Sequence, residues 1–130
     1  GHPVHVVTRS RRRAERLYQE GFHPLVADVT QPKTLGRLPG AETVVFAVGF
    51  DAAAGKSIAE VYAGGVKNVL AALPAAVQQI IYISTTGGYG PANGEWVDET
   101  TPKVPRSSGR VVNIKRIARR SKNFLKIAYG

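Results

Sequence analysis

The stretch Thr43-Val44-Val45-Phe46-Ala47-Val48 decides the fold class of this 130-residue chain. Five of its residues are apolar without interruption, which is typical of a strand buried on both faces of a parallel sheet. Residues 49–55 follow as a predicted loop, and Ser57 is a suitable N-cap for a long helix that ends near Leu73, before Pro74. A buried strand, a loop and a long helix in this order predict one unit of an α/β domain.

The segments on either side repeat the alternation. Residues 4–8, 23–27 and 79–84 are short apolar runs that predict three further strands. Residues 11–20 predict a helix with Ser10 as its N-cap and Gly21 after its end, and residues 34–38 leave room for one helical turn. The long helix carries one apolar stripe, formed by Ile58, Val61, Tyr62, Val66, Val69, Leu70 and Leu73. Strands that alternate with helices predict right-handed crossovers and a parallel sheet.

The formal net charge of +9 is unevenly distributed. Residues 1–102 contain nine basic and nine acidic side chains, whereas residues 103–130 contain nine basic side chains and no acidic one. We therefore divide the chain into a domain over residues 1–110 and a basic tail over residues 111–130, which we predict to be helical. The absence of cysteine excludes disulfides and thiolate metal sites, and the scattered His2, His5 and His23 lack metal-ligand spacing. No apolar run is long enough to span a bilayer and no secretory signal is evident, so we expect a cytoplasmic protein.

Several segments together resemble the NAD(P)-dependent epimerase/dehydratase group of the extended and atypical short-chain dehydrogenase/reductases. They are His5-Val6-Val7-Thr8-Arg9-Ser10, Val26-Ala27-Asp28-Val29-Thr30, Val44-Val45-Phe46-Ala47-Val48-Gly49, Asn68-Val69-Leu70, Tyr82-Ile83-Ser84-Thr85-Thr86-Gly87-Gly88-Tyr89-Gly90 and Gly94-Glu95-Trp96-Val97-Asp98-Glu99 with Pro102. The resemblance covers about 100 residues in matching order, consistent with one domain. It implies a Rossmann-like parallel sheet flanked by helices, with ligand at the carboxyl ends of the strands.

The resemblance also implies cofactor contacts at three strand ends. Thr8, Arg9 and Ser10 would bind the 2′-phosphate of NADP, since a guanidinium suits a phosphate and no acid that selects NAD follows this strand; NAD remains the alternative. Asp28 and Val29 would contact the adenine edge. Ala47, Val48 and Gly49 would pass beneath the cofactor. The plain alternatives are a solvated strand-end charge at Arg9 and an Asx turn at Asp28.

For catalysis, the resemblance assigns Ser84 and Thr85 to a hydrogen bond with a substrate carbonyl or hydroxyl, and Tyr89 to the same pocket. The implied substrate is a small, sugar-like molecule, and the resemblance also admits a homo-oligomer. Without the resemblance, Ser84 and Thr85 would be interpreted as strand-ending hydroxyls.

Two departures from the family limit this inference. No Gly-rich turn precedes Val4, so we expect a fragment that lacks about 25 residues of strand, turn and helix. The missing strand would be the central one, between the strands at residues 4–8 and 43–48. The family's Tyr-x-x-x-Lys couple is also absent, since Ser108 and Val112 occupy those positions. We therefore expect weak cofactor binding and little or no turnover.

Two interpretations from other classes stay open at this point. Gly49-Phe50-Asp51-Ala52-Ala53-Ala54-Gly55-Lys56-Ser57 lies between a strand and a helix as a phosphate-binding P-loop does, although its first glycine stands one position too early. The basic tail has apolar residues at helical spacing from Val111 to Ala128. Such a helix would make the chain a non-enzymatic module that binds nucleic acid or another anionic surface.

Overall fold

The computed structural model describes residues 2–84, 96, 100–101 and 124–129 of the chain, with the backbone alone for Ser84 and for 124–129. Its strands are β1 (His5–Thr8), β2 (His23–Val26), β3 (Thr43–Phe46), β4 (Gln79–Ser84) and β5 (Phe124–Tyr129). Its two α-helices are α1 (Arg11–Gln19) and α2 (Gly65–Ala72). Shorter helical segments are the 3₁₀ turns Pro32–Leu35 and Ala52–Ala54 and the π-helical turn Glu60–Gly64, which runs directly into α2.

The predicted helix ends are confirmed by their capping contacts. The Ser10 hydroxyl accepts a hydrogen bond from the Arg13 amide at 3.2 Å, which satisfies one free donor of the first turn of α1. Gly21, just after α1, has a φ of 87°, a conformation that glycine adopts without strain. The long helix begins with a capping box, because the Ser57 amide donates to Glu60 Oε2 at 2.7 Å and the Glu60 amide donates to Ser57 Oγ at 3.2 Å. The hydrogen bond from the Ser57 amide, followed by side-chain hydrogen bonding with Ser57, lowers the pKa of the Glu60 carboxyl.

All strand pairs among the described residues are parallel, as the alternating pattern predicts. β1 pairs with β2, while β4 lies between β3 and β5 in a three-stranded sheet. Strand β3 is shorter than predicted, because its register with β4 ends at Phe46 opposite Tyr82 and leaves Ala47 and Val48 beyond the ladder.

The prediction of a helix reaching Ala128 is wrong at its end. Residues 124–129 form β5, which pairs with β4 from Gln79 opposite Phe124 to Ser84 opposite Tyr129. The segment Phe-Leu-Lys-Ile-Ala-Tyr is rich in strand formers, and pairing with a buried strand outweighs the helical spacing over so short a run. Residues 111–123 lie outside the described part of the chain, so the rest of the tail prediction is untested.

The described strands leave a gap between β1 and β3, which do not pair with each other. The side chains of Val7 on β1 and Val45 on β3 are 42% and 57% exposed, unusually high for apolar residues of a parallel sheet. Arg9, which follows β1, and Asp51, which lies beyond β3, form an ion pair with Nη2 3.1 Å from Oδ2. The lack of pairing between β1 and β3 is consistent with the missing central strand that the sequence analysis predicts.

One apolar cluster connects the two sheets. Its buried members come from the end of β2, the first 3₁₀ turn, β3, α2 and β4: Ala27, Leu35, Phe46, Val66, Val69 and Tyr82. Leu35 is completely buried. The predicted stripe of the long helix is confirmed, since Val61, Val66 and Val69 are buried and Leu70 and Leu73 pack against the cluster. The cluster fixes the carboxyl ends of β2 and β3 relative to α2. It therefore positions the edge of the sheet where the ligand is expected.

Tyr82 belongs to this core and not to a reactive site. Its ring stacks on Phe46 with centroids 5.4 Å apart, and the side chain is 3% exposed. Burial, with a smaller contribution from the nearby Tyr62, raises the pKa of the Tyr82 phenol to about 12. The phenol therefore stays protonated at physiological pH, unlike an acid/base tyrosine whose pKa is lowered.

Candidate functional site at the carboxyl edge of the strands

The turn from β1 into α1 gathers the first predicted cofactor contacts. Thr8 ends β1, Arg9 follows it, and Ser10 caps α1. The Thr8 hydroxyl accepts from the Ser10 amide at 3.3 Å, and the Ser10 hydroxyl accepts from the Arg13 amide. Both hydroxyl protons stay available, because in these bonds the oxygens act as acceptors. The turn therefore presents two hydroxyl donors and one guanidinium at the carboxyl end of β1.

The first turn of α1 is strongly cationic. Arg11, Arg12 and Arg13 are all exposed there, and the turn contains no acidic residue. A helix N-terminus already carries the positive end of the helix dipole, so each of these arginines opposes it by about 0.3–1 kcal/mol. Three arginines at a position where they weaken the helix are the arrangement expected of an anion-binding surface.

The loop after β2 contains the predicted adenine contacts Asp28 and Val29. Asp28 Oδ1 accepts from the amide and the hydroxyl of Thr30, both at 2.8 Å, so the Asx turn is present. Asp28 Oδ2 accepts no hydrogen bond within the described part of the chain, which leaves one carboxylate oxygen for a ligand. The Val29 carbonyl accepts from Asn68 Nδ2 at 2.8 Å, so its position is fixed by α2.

The segment after β3 contains the predicted residues Ala47, Val48 and Gly49. Ala47 and Gly49 are exposed, while Val48 packs against the apolar cluster. A Cβ placed on Gly49 would meet nothing within 4 Å, so packing inside the described chain does not require glycine there. A ligand that passes close to this segment would need the open space beside Gly49.

The predicted catalytic residues are only partly described. Ser84 is the last residue of β4, and its backbone lies opposite Tyr129 of β5. Thr85 and Tyr89 lie outside the described residues, and so do Ser108 and Val112 at the positions of the missing couple. Their assignment stays a prediction.

No protein-family model matches the sequence, and no curated protein is significantly similar to it. The fold, however, matches solved structures. A protein assigned as an NAD-dependent epimerase/dehydratase from Methylobacillus flagellatus is 26% identical with a TM-score of 0.62, over 96% of this chain and 52% of that one. A short-chain dehydrogenase/reductase superfamily protein from Agrobacterium tumefaciens, solved with bound NAD, is 16% identical with a TM-score of 0.60, over 98% and 48%. A protein assigned as an epimerase from Burkholderia cenocepacia is 17% identical with a TM-score of 0.60, over 100% and 55%.

The fold of the chain is similar to that of these epimerase/dehydratase and short-chain dehydrogenase/reductase proteins. It spans about half the length of these solved relatives. The match confirms the Rossmann-like α/β fold and is consistent with the incomplete sheet seen here, in which β1 and β3 do not pair with each other.

The residues of this epimerase/dehydratase-like edge fit one half of a dinucleotide. Arg9 with the hydroxyls of Thr8 and Ser10 provides the donors that a 2′-phosphate needs, and Asp28 Oδ2 provides an acceptor for an adenine amine. The described residues contain no Gly-rich turn that would approach a diphosphate. The chemistry of these groups is compatible with an adenosine phosphate, and the described residues offer no group for a diphosphate.

Sequence reasoning did not predict two contacts at these strand ends. Asp51 pairs with Arg9, and Asn68 holds the loop that carries Asp28. Asn68 was part of the resemblance, but its partner 39 residues away was not predictable from spacing. Asp51 lies inside the P-loop-like segment, and its contact reaches across 42 residues.

The structure does not support the P-loop interpretation. Residues 52–54 form a 3₁₀ turn whose first amides are capped by Asp51, instead of a loop with amides directed at a phosphate. Lys56, which would contact phosphate, lies 4.0 Å from Glu60.

Among the described residues, no three His, Asp or Glu side chains lie close enough to hold a metal ion. Nor does the described part contain a helix with the length and apolar character needed to cross a membrane.

Proposed function

We propose that the carboxyl edge of β1, β2 and β3 binds the adenosine half of NADP, with Arg9 contacting the 2′-phosphate. The observation that carries this proposal is the cationic turn from Arg9 to Arg13, where four arginines accompany two hydroxyl donors at a strand end. The pattern suits a phosphate, which accepts several charge-assisted hydrogen bonds at once. NAD lacks that phosphate and is the weaker candidate.

In the proposed complex, the adenine lies over the loop after β2. Asp28 Oδ2 accepts a hydrogen bond from the exocyclic amine, while Oδ1 keeps the loop closed through Thr30. Asn68 holds the Val29 carbonyl and so keeps this loop against α2. Ala47 and Gly49 pass beneath the cofactor because their small side chains leave the edge open.

We further propose that the chain is one part of an oxidoreductase that acts on a small, sugar-like substrate. The bound nicotinamide coenzyme supplies the hydride acceptor or donor. Ser84, Thr85 and Tyr89 are the proposed substrate contacts beyond the end of β4. For residues 1–130 alone, we propose weak cofactor affinity and little or no turnover, since the described part offers no diphosphate site and Ser108 and Val112 stand at the positions of the family's Tyr-x-x-x-Lys couple. A cytoplasmic location and a homo-oligomer remain proposals.

Calorimetric titration of NADPH and NADH into residues 1–130 tests the site. We expect a dissociation constant well above the micromolar range and tighter binding of NADPH than of NADH. Arg9→Gln should abolish the difference between the two coenzymes, because it removes the charge that faces the 2′-phosphate. Arg16→Gln is the matched control, since it removes the same charge from the last turn of α1. Micromolar NADPH binding would overturn the weak-affinity proposal, and equal binding of both coenzymes by the unmodified chain would overturn the role of Arg9.

A further inference from the structure

The ion pair between Arg9 and Asp51 engages one nitrogen of the guanidinium that the proposed function assigns to the 2′-phosphate. The two residues follow different strands, Arg9 after β1 and Asp51 after β3, and their side chains meet with Nη2 3.1 Å from Oδ2. They are 49% and 51% exposed, so ligand and solvent both have access to the pair. Arg9 therefore already has an anionic partner in the chain itself.

Backbone contacts fix the position of the Asp51 carboxylate. Its Oδ1 accepts from the Ala53 amide at 3.0 Å and caps the 3₁₀ turn Ala52–Ala54, whose far end is Gly55 in the left-handed conformation. One oxygen is thus used for the turn, and the other is directed at Arg9. A carboxylate held in this way does not swing away as freely as an uncapped surface aspartate does.

Carboxylate and phosphate are the two anions that a guanidinium binds best, and both use the same N–H groups. A 2′-phosphate that reaches Arg9 must displace Asp51 Oδ2 or lie close to it, and in either position it meets the negative charge of Asp51. A 2′-hydroxyl meets no such repulsion. The carboxylate therefore disfavours the phosphorylated ligand selectively.

We propose that Asp51 is a specificity-determining residue that reduces the preference of this site for NADP over NAD by competing with the 2′-phosphate for Arg9. The proposal rests on the proposed adenosine site. It assigns to Asp51 a function that neither the sequence pattern nor the 3₁₀ turn alone requires.

The test compares adenosine 2′,5′-bisphosphate with 5′-AMP, two ligands that differ only in the 2′-phosphate and need no diphosphate site. Their affinities are measured by NMR titration of residues 1–130 at low ionic strength. Asp51→Asn removes the charge but keeps the oxygen that caps the Ala53 amide, so the turn stays intact. Glu60→Gln is the matched control, because it removes the charge of the other described ion pair and keeps the capping contact with Ser57.

We expect Asp51→Asn to tighten binding of adenosine 2′,5′-bisphosphate by about two- to fivefold, the upper part of the range for an exposed ion pair. Binding of 5′-AMP and the Glu60→Gln variant should be unchanged. The gain in affinity for the bisphosphate should shrink in 1 M salt, where screening is strong. In the Arg9→Gln background, adding Asp51→Asn should give no such gain.

The outcomes separate this proposal from the function on which it rests. If Arg9→Gln removes the preference for the bisphosphate while Asp51→Asn leaves it unchanged or weaker, the role of Asp51 is refuted and the adenosine site stands. If neither ligand binds to the unmodified chain or to Asp51→Asn, both proposals are refuted.

Discussion

Replacing Gly65 with alanine should destabilise the chain, although alanine is the better helix former. Gly65 begins α2 with ordinary helical angles, so glycine is not needed for its backbone conformation. An added Cβ would lie 2.8 Å from Val29 Cγ2 and 3.2 Å from Val29 Cβ, well inside the normal carbon–carbon separation of about 3.5–4.0 Å. Rotation of the valine does not relieve the second contact, since Cβ moves only with the backbone. The helix must therefore move away from the loop after β2.

Two opposing effects set the size of the change. Overpacking of this kind costs about 1–3 kcal/mol, whereas the gain in helix propensity from glycine to alanine is about 1 kcal/mol. The net expectation for Gly65→Ala is a loss of about 0–2 kcal/mol in the free energy of unfolding. Gly64→Ala is the matched control, because its Cβ meets only the Ala59 carbonyl oxygen at 3.8 Å. That variant should gain up to about 1 kcal/mol.

Urea unfolding followed by circular dichroism measures both variants. The expected difference between the two free energies of unfolding is about 1–3 kcal/mol, with Gly64→Ala the more stable. Equal stabilisation of the two variants would show that α2 does not press on Val29 as the structure indicates. The same shift would strain the hydrogen bond from Asn68 to the Val29 carbonyl, now 2.8 Å, and would carry Asp28 with it.

Two further predictions concern charge and pH. Arg12→Glu should raise the free energy of unfolding by about 0.5–1 kcal/mol, because an acid in the first turn of α1 complements the helix dipole. The same substitution should weaken binding of adenosine 2′,5′-bisphosphate, and Arg12→Gln should be intermediate in both properties. A gain in affinity for Arg12→Glu would contradict the anion site. Because the folded pKa of Tyr82 is raised from 10.0 to about 12, the unfolded chain loses this proton first, and stability should fall as pH rises from 10 to 12. Tyr82 should contribute about 1–3 kcal/mol to the stability that the unmodified chain loses over this range, and Tyr82→Phe should lack this contribution. Thermal unfolding of both proteins at pH 8 and pH 11.5 measures the difference. Identical pH profiles would show that Tyr82 is not buried as described.

Local sequence signals predicted much of the fold. Ser10 and Ser57 have the side chains that cap helices, Gly21 has the freedom to end one, and each is found in that role. These features depend on contacts within about four residues, so the sequence contains all the information they need. The gap between β1 and β3 was also predictable, through the resemblance and not through local pattern.

The strand β5 was predicted wrongly for a physical reason. Over six residues, apolar positions fit both a helical and an extended period, and the pairing with β4 decides between them. That pairing joins residues more than 40 positions apart, so no local signal encodes it.

The candidate site shows the same difference between what local sequence and what long-range contacts determine. The sequence by itself determined which chemical groups stand at the strand ends, above all Arg9 among its neighbouring arginines, because residue types that follow a buried strand are readable from order alone. Only the tertiary structure decided which groups meet. The 3.1 Å contact of Arg9 with Asp51, the anchoring of Val29 by Asn68 and the close approach of Gly65 to Val29 join distant segments. Their geometry depends on how α2 and the apolar cluster pack the two sheets together, which is a property of the whole fold.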